Sequence, residues 1–125
     1  MATIAIGGLN ADEASGLLWM REEEKLARDV YLALADLWNV QVFSTIARSE
    51  QAHMDALKTL LDRYGLQDPA AGKPVGVFTD PAIQALYDEL LARRRTSLVE
   101  ALTVGATIED LDIVDLRERA TDTPD

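Results

Sequence analysis

The stretch VFSTIARSEQAHMDALKTLLDRYG, residues 42–65, carries the period that decides the fold. Phe43, Ile46, Ala47, Met54, Leu57, Leu60, Leu61 and Tyr64 recur at the three- and four-residue gaps that mark one face of an α-helix. Glu50 and His53 fall inside that stripe. They stand three residues apart, so both side chains leave the same face. Gly65 supplies a C-terminal stop, which gives a helix over 42–64.

Working upstream, Asn10 with Glu13 three positions on reads as a capping box, so a helix begins at residue 11. Leu17, Met20, Glu24, Ala27, Tyr31, Leu34 and Trp38 form its stripe, and the helix runs over 11–37. Only a few residues separate it from the next helix, so the two pack as antiparallel neighbours. Downstream, Pro69, Gly72, Pro74 and Gly76 mark residues 65–80 as a loop. Asp80-Pro81 opens a shorter helix over 81–94. Its Arg93-Arg94-Arg95 cluster suits the negative end of a helix dipole better than a phosphate site in so acidic a chain. Ser97 with Glu100 is a second capping box, opening a helix over 98–118 with the stripe Leu98, Leu102, Gly105, Glu109, Asp112 and Leu116. Thr123-Pro124-Asp125 again resembles a helix start. The expectation is therefore a chain cut short, or a bundle completed by a partner, set against a polar frayed tail.

Composition narrows the function classes. The chain has 125 residues, enough for one domain with a real core. Its 22 acidic against 12 basic side chains give a net charge of −10, which disfavours nucleic acid as a partner. The absence of cysteine excludes disulfides, thiolate zinc sites, iron–sulfur ligation and cysteine nucleophiles. The opening MATIAIGGLNADEAS has no basic n-region, and no segment approaches a membrane span, so the expected location is cytoplasmic. There is no glycine-rich phosphate loop, G-x-S-x-G elbow or H-E-x-x-H pair, and a single histidine disfavours Ser-His-Asp chemistry.

The acids are the informative residues. Burying a glutamate is costly unless something pairs with it. Glu24, Glu50 and Glu109 lie on the inward stripes of three helices, and Glu109 with Asp112 repeats the i, i+3 spacing of Glu50 and His53. A cation between the helices would supply the missing partner. Carboxylates with one imidazole suit iron or manganese, with zinc tolerated. The bland readings are specific too. A lone E-x-x-H is commonplace, and His53 can serve as a core histidine. The runs Arg21–Lys25 and Glu109–Asp112 read equally well as solvated faces. Trp19, Tyr31 and Trp38 are read as core packing in preference to electron relays.

Two strings, EKLARDVY (24–31) and FSTIARSEQAHM (43–54), resemble rubrerythrin and its ferritin-like relatives. Adding MREEEKLARDVY (20–31), EALTVGATIEDLDI (100–113) and the following Asp115-Leu116, nearly the whole chain resembles an uncharacterised ferritin-like family, domain of unknown function 2202. The resemblance implies an all-α, ferritin-like antiparallel bundle that lacks its final helix. It implies a di-iron or partial site in which Glu24 is a terminal carboxylate, Glu50 a bridge and His53 the imidazole. Glu109 would serve a second metal, with Asp112 as ligand or hydrogen-bond acceptor. The chain departs from that pattern in having no second carboxylate–histidine helix. The chemistry implied is oxygen- or peroxide-linked iron oxidation. The rivals are an iron-handling module without turnover and a helical interaction protein with no functional metal. Inner stripes left uncovered by a missing helix lead us to expect a homodimer or higher oligomer. No membrane or nucleic-acid partner is expected.

Overall fold

The computed structural model describes residues 9–93 and 97–122, with the side chains of 110 and 112–122 excepted. Four α-helices form the architecture: α1 (Ala11–Trp38), α2 (Gln41–Arg63), α3 (Pro81–Arg93) and α4 (Leu98–Asp122). The all-α expectation holds, and helix ends agree to within one residue except at the end of α4, which runs four residues further than its stripe suggested. No helix among the described residues is long and apolar enough to cross a membrane.

The caps are where the sequence placed them. The Asn10 side chain accepts from the Glu13 amide at 2.8 Å while Glu13 accepts from the Asn10 amide at 3.2 Å. At the end of α2, Gly65 adopts φ +70°, and the Leu66 and Gly65 amides donate to Leu61 and Asp62 carbonyls. That pairing closes the last turn and needs a left-handed residue at its centre. Asp80 caps α3 through the Ala82 amide. At α4 only half of the expected box forms. Ser97 accepts from the Glu100 amide, but the Glu100 carboxylate turns to Arg93 at 2.8 Å. Arg94 and Arg95 lie outside the described residues, as do Thr123, Pro124 and Asp125.

α1 is the axis of the molecule, and α2, α3 and α4 all pack on it. Against α2 the register is antiparallel: Arg21 reaches Met54, Glu24 meets His53, Arg28 reaches Gln51 and Tyr31 meets Phe43. The core joins Leu26, Ala27, Val30, Tyr31 and Leu34 of α1 to Phe43 and Ala47 of α2, Ile83 and Leu90 of α3, and Ala101, Val104 and Ile108 of α4.

One rival reading and one expectation are corrected here. The run Arg21–Lys25 is not a solvated face. Arg21, Glu22, Glu23 and Lys25 are buried, and Asp29 has no exposure. The cause is the 65–80 segment, which lies along α1 as a strap. Arg21 forks onto Asp68 with two 3.0 Å bonds. Glu22 accepts the Thr79 and Asp80 amides at 2.9 and 2.7 Å. Lys25 donates to Asp29 at 2.7 Å and to the Pro74 and Val77 carbonyls at 2.8 and 2.9 Å, with its ammonium 4.3 Å from the Phe78 ring centre. All three ammonium protons are thus used, which is what a buried lysine requires. Gly76 donates to Asp29 at φ +84°, and a Cβ there would stand 3.0 Å from the Tyr87 ring, so only glycine fits.

The second correction concerns α4. Its buried stripe is Ala101, Val104, Gly105 and Ile108, whereas Leu98 and Leu102, expected inward, are 40% and 49% exposed. Small residues decide this rotation. The Tyr31 ring lies over Gly105, where an added Cβ would be 3.2 Å from the ring, so a leucine could not occupy that contact.

Replacing Lys25 with Ala strands the Pro74 and Val77 carbonyls and weakens the neutralisation of Asp29. We expect a loss of about 3–5 kcal/mol in urea unfolding. A loss below about 1 kcal/mol would mean that the strap is not held through this lysine.

Candidate metal centre

α1 presents Glu24 one turn after Met20, one turn before Ala27 and two turns before Tyr31. α2 presents Glu50 and His53 from one face, as their spacing requires. The antiparallel register brings the two sets level. His53 Nδ1 stands 3.5 Å from Glu24 Oε2 and 3.4 Å from Glu50 Oε2. Among the described residues, one donor atom from each of Glu24, Glu50 and His53 lies within 4.8 Å of the others. The side chains of Glu24 and Glu50 are 16% and 7% exposed, while that of His53 is 56% exposed. The cluster therefore has a dry floor made of two acids and an imidazole at its mouth.

Glu109 sits on the α4 side of the same region. It is half-buried, and its Oε1 accepts from the Tyr31 hydroxyl at 3.1 Å; the same hydroxyl lies 3.0 Å from the Gly105 carbonyl. It does not join the 4.8 Å set, but its charge is felt at Glu50. Tyr31, read from the sequence as core packing, does pack on Phe43 and also holds this acid. Periodicity alone could not separate the two roles. Asp112 lies on α4 with its side chain outside those described.

The electrostatics follow from the geometry. Burial pushes the Glu50 carboxyl up, and a hydrogen bond with Glu24 and the charges of Glu24 and Glu109 push it further. His53 pulls the other way, and the result is about 8 against an ordinary 4.5. At neutral pH the Glu24–Glu50 pair therefore holds a proton. The donor set also fits a metal. Two donors bound about 2.1 Å from one ion at tetrahedral or octahedral angles stand roughly 3.0–3.4 Å apart, close to the distances around His53 Nδ1. Two carboxylates and an imidazole suit iron, manganese or zinc.

The chain matches the family described as Uncharacterized protein domain (DUF2202) over residues 13–125. It is 53% identical over 110 residues to the uncharacterized protein MJ0754 of Methanocaldococcus jannaschii, covering 88% of this chain and 60% of that protein. The chain thus spans about 60% of the length of the curated relative it matches. It also superposes on the crystal structure of hypothetical protein MJ0754 from Methanococcus jannaschii with a TM-score of 0.91 at 48% identity. That match covers 99% of this chain and 71% of the other.

Because the folded protein holds a proton on Glu50 that the unfolded chain releases near pH 4.5, this group's contribution to stability is lost as pH rises from about 4.5 to about 8. In metal-free protein, Glu50→Gln should gain on wild type over that window, by an amount on the order of 2–4 kcal/mol. Urea unfolding at pH 5 and pH 8 measures the gap; a gap that stays constant contradicts the placement of Glu50.

Proposed function

We propose that this chain, which belongs to the Uncharacterized protein domain (DUF2202) family, is a metal-binding protein in which Glu24, Glu50 and His53 hold a divalent transition metal, iron before manganese or zinc. What carries the reading is the convergence of a buried and a half-buried carboxylate with one solvent-accessible imidazole from two helices, at the spacing of ligands to one ion.

Each side chain has a distinct part. The two glutamates supply the charge that neutralises a cation, and their burial strengthens that attraction. Binding displaces the proton that Glu24 and Glu50 hold between them, so metal uptake at neutral pH releases protons. His53 at the mouth is the ligand an incoming ion meets first. Glu109, oriented by the Tyr31 hydroxyl, contributes further negative charge and is the nearest candidate for a second ion. Iron bound there would supply electrons to oxygen or peroxide, which is the oxidase-type activity the proposal extends to. Ferritin-like kinship and cytoplasmic residence belong to the same proposal. So does self-association, supported by Leu98, Val99 and Leu102, which stand exposed along α4.

One observation favours a different reading. The hydrogen bond between Glu24 and Glu50 lets the pair share a proton and remain stable with no ion, as a structural acid pair would. The two readings separate in one experiment. With manganese(II) at about a hundred times its dissociation constant, wild type should gain about 2–3 kcal/mol, seen as a higher melting temperature. The double variant Glu24→Gln, Glu50→Gln should gain nothing. Equal behaviour of the two proteins supports the structural acid pair.

A further inference from the structure

Arg28 occupies a position on α1 from which a cation should already neutralise the acid cluster. It follows Glu24 by four residues, and a glutamate four residues before a basic residue is the favoured order for a helical ion pair. Yet the guanidinium does not turn that way. Its Nε and Nη2 donate to Asp29 Oδ1 at 2.9 and 2.8 Å, and its Nη1 donates to Gln51 Oε1 at 2.6 Å. Asp29 is fully buried, takes Lys25 and the Gly76 amide on its other oxygen, and is fixed by the strap. Gln51 in turn donates to Asp55 at 2.9 Å, which orients its carbonyl oxygen toward Arg28.

We propose that Asp29 is a positioning residue for the metal centre: with Gln51 it holds Arg28 away from Glu24 and Glu50, so that the carboxylates stay available to a cation. The claim rests on the metal reading above and adds its control. A planar guanidinium forked by a fixed carboxylate loses little further freedom in staying there. Released from Asp29, the same group would have Glu24 one turn away on its own helix, and Glu50 beside the Gln51 it already reaches. It would then compete with the metal as a resident positive charge in a poorly solvated site.

The test compares manganese(II) binding by titration calorimetry in wild type, Arg28→Gln, Asp29→Asn and the double variant. Arg28→Gln should bind as wild type does, within about twofold, because the arginine already faces away. Asp29→Asn should bind about tenfold or more weakly, as expected for a like charge brought beside the ion. The double variant should recover. A double variant as weak as Asp29→Asn would show that Asp29 acts through the strap and would overturn the claim, as would unimpaired binding by Asp29→Asn. Should Asp29→Asn fail to fold, Arg28→Lys serves in its place. Its single ammonium cannot be forked by Asp29 while reaching Gln51, so it should bind about three- to tenfold more weakly than Arg28→Gln; equal affinity overturns the claim. Absence of binding by wild type would sink the metal reading. The arginine claim would then be decided by the crystal structure of a folded variant, Asp29→Asn or Arg28→Lys. A side-chain nitrogen of residue 28 within about 4 Å of Glu24 or Glu50 upholds it, and one still on Gln51 or residue 29 refutes it.

Discussion

The molecule is organised by the cost of placing charge inside it. α1 is covered on most of its circumference although Arg21, Glu22, Glu23, Glu24 and Lys25 run along its middle. Such a helix is stable only where each charge meets a fixed partner. On one side the strap provides most of them: Asp68 for Arg21, two amides for Glu22 and two carbonyls for Lys25, whose remaining partner is Asp29 of α1 itself. On the other side the supply is different. Glu24 and Glu50 are brought together from separate helices with an imidazole as their cationic neighbour. The contrast lies in the kind of partner: backbone groups and fixed ion pairs on one side, titratable side chains meeting one another on the other.

This contrast also explains which parts of the structure could be read in advance. The helices and their caps follow from local rules, since Asn10, Gly65 and Asp80 act on backbone groups within a few residues of themselves. The meeting of Glu24 with Glu50 and His53 was legible because stripe and spacing fix which face each side chain leaves, and a short connection fixes the antiparallel register. The strap was not legible. Its anchors are mostly backbone amides and carbonyls of residues 74–80, which carry no signature in the side chains. Without it, Arg21–Lys25 reads as a surface. The rotation of α4 was missed for a related reason. Leu98, Leu102, Gly105 and Glu109 make an acceptable stripe; Gly105 does face inward, under the ring of Tyr31 seventy-four residues away in sequence, but the residues beside it there are Ala101, Val104 and Ile108, not the two leucines.

The crystal structure of hypothetical protein MJ0754 shares this arrangement of helices, while the chemistry has to be argued from the side chains. Three facts about the centre point the same way. Glu50 is buried and Glu24 half-buried, the imidazole is exposed, and Arg28, one turn from Glu24 on α1, is tied elsewhere. A structural acid pair needs only the first. A site that admits an ion from solvent and competes for it uses all three.

The most direct measurement is anomalous X-ray diffraction from crystals of the protein soaked in manganese(II) or iron(II), with data collected at the edge of the metal used. The account predicts a single strong anomalous peak within about 2.0–2.3 Å of an oxygen of Glu24, an oxygen of Glu50 and a ring nitrogen of His53. Anomalous density confined to exposed carboxylates elsewhere, with the Glu24–Glu50 hydrogen bond intact, would contradict it.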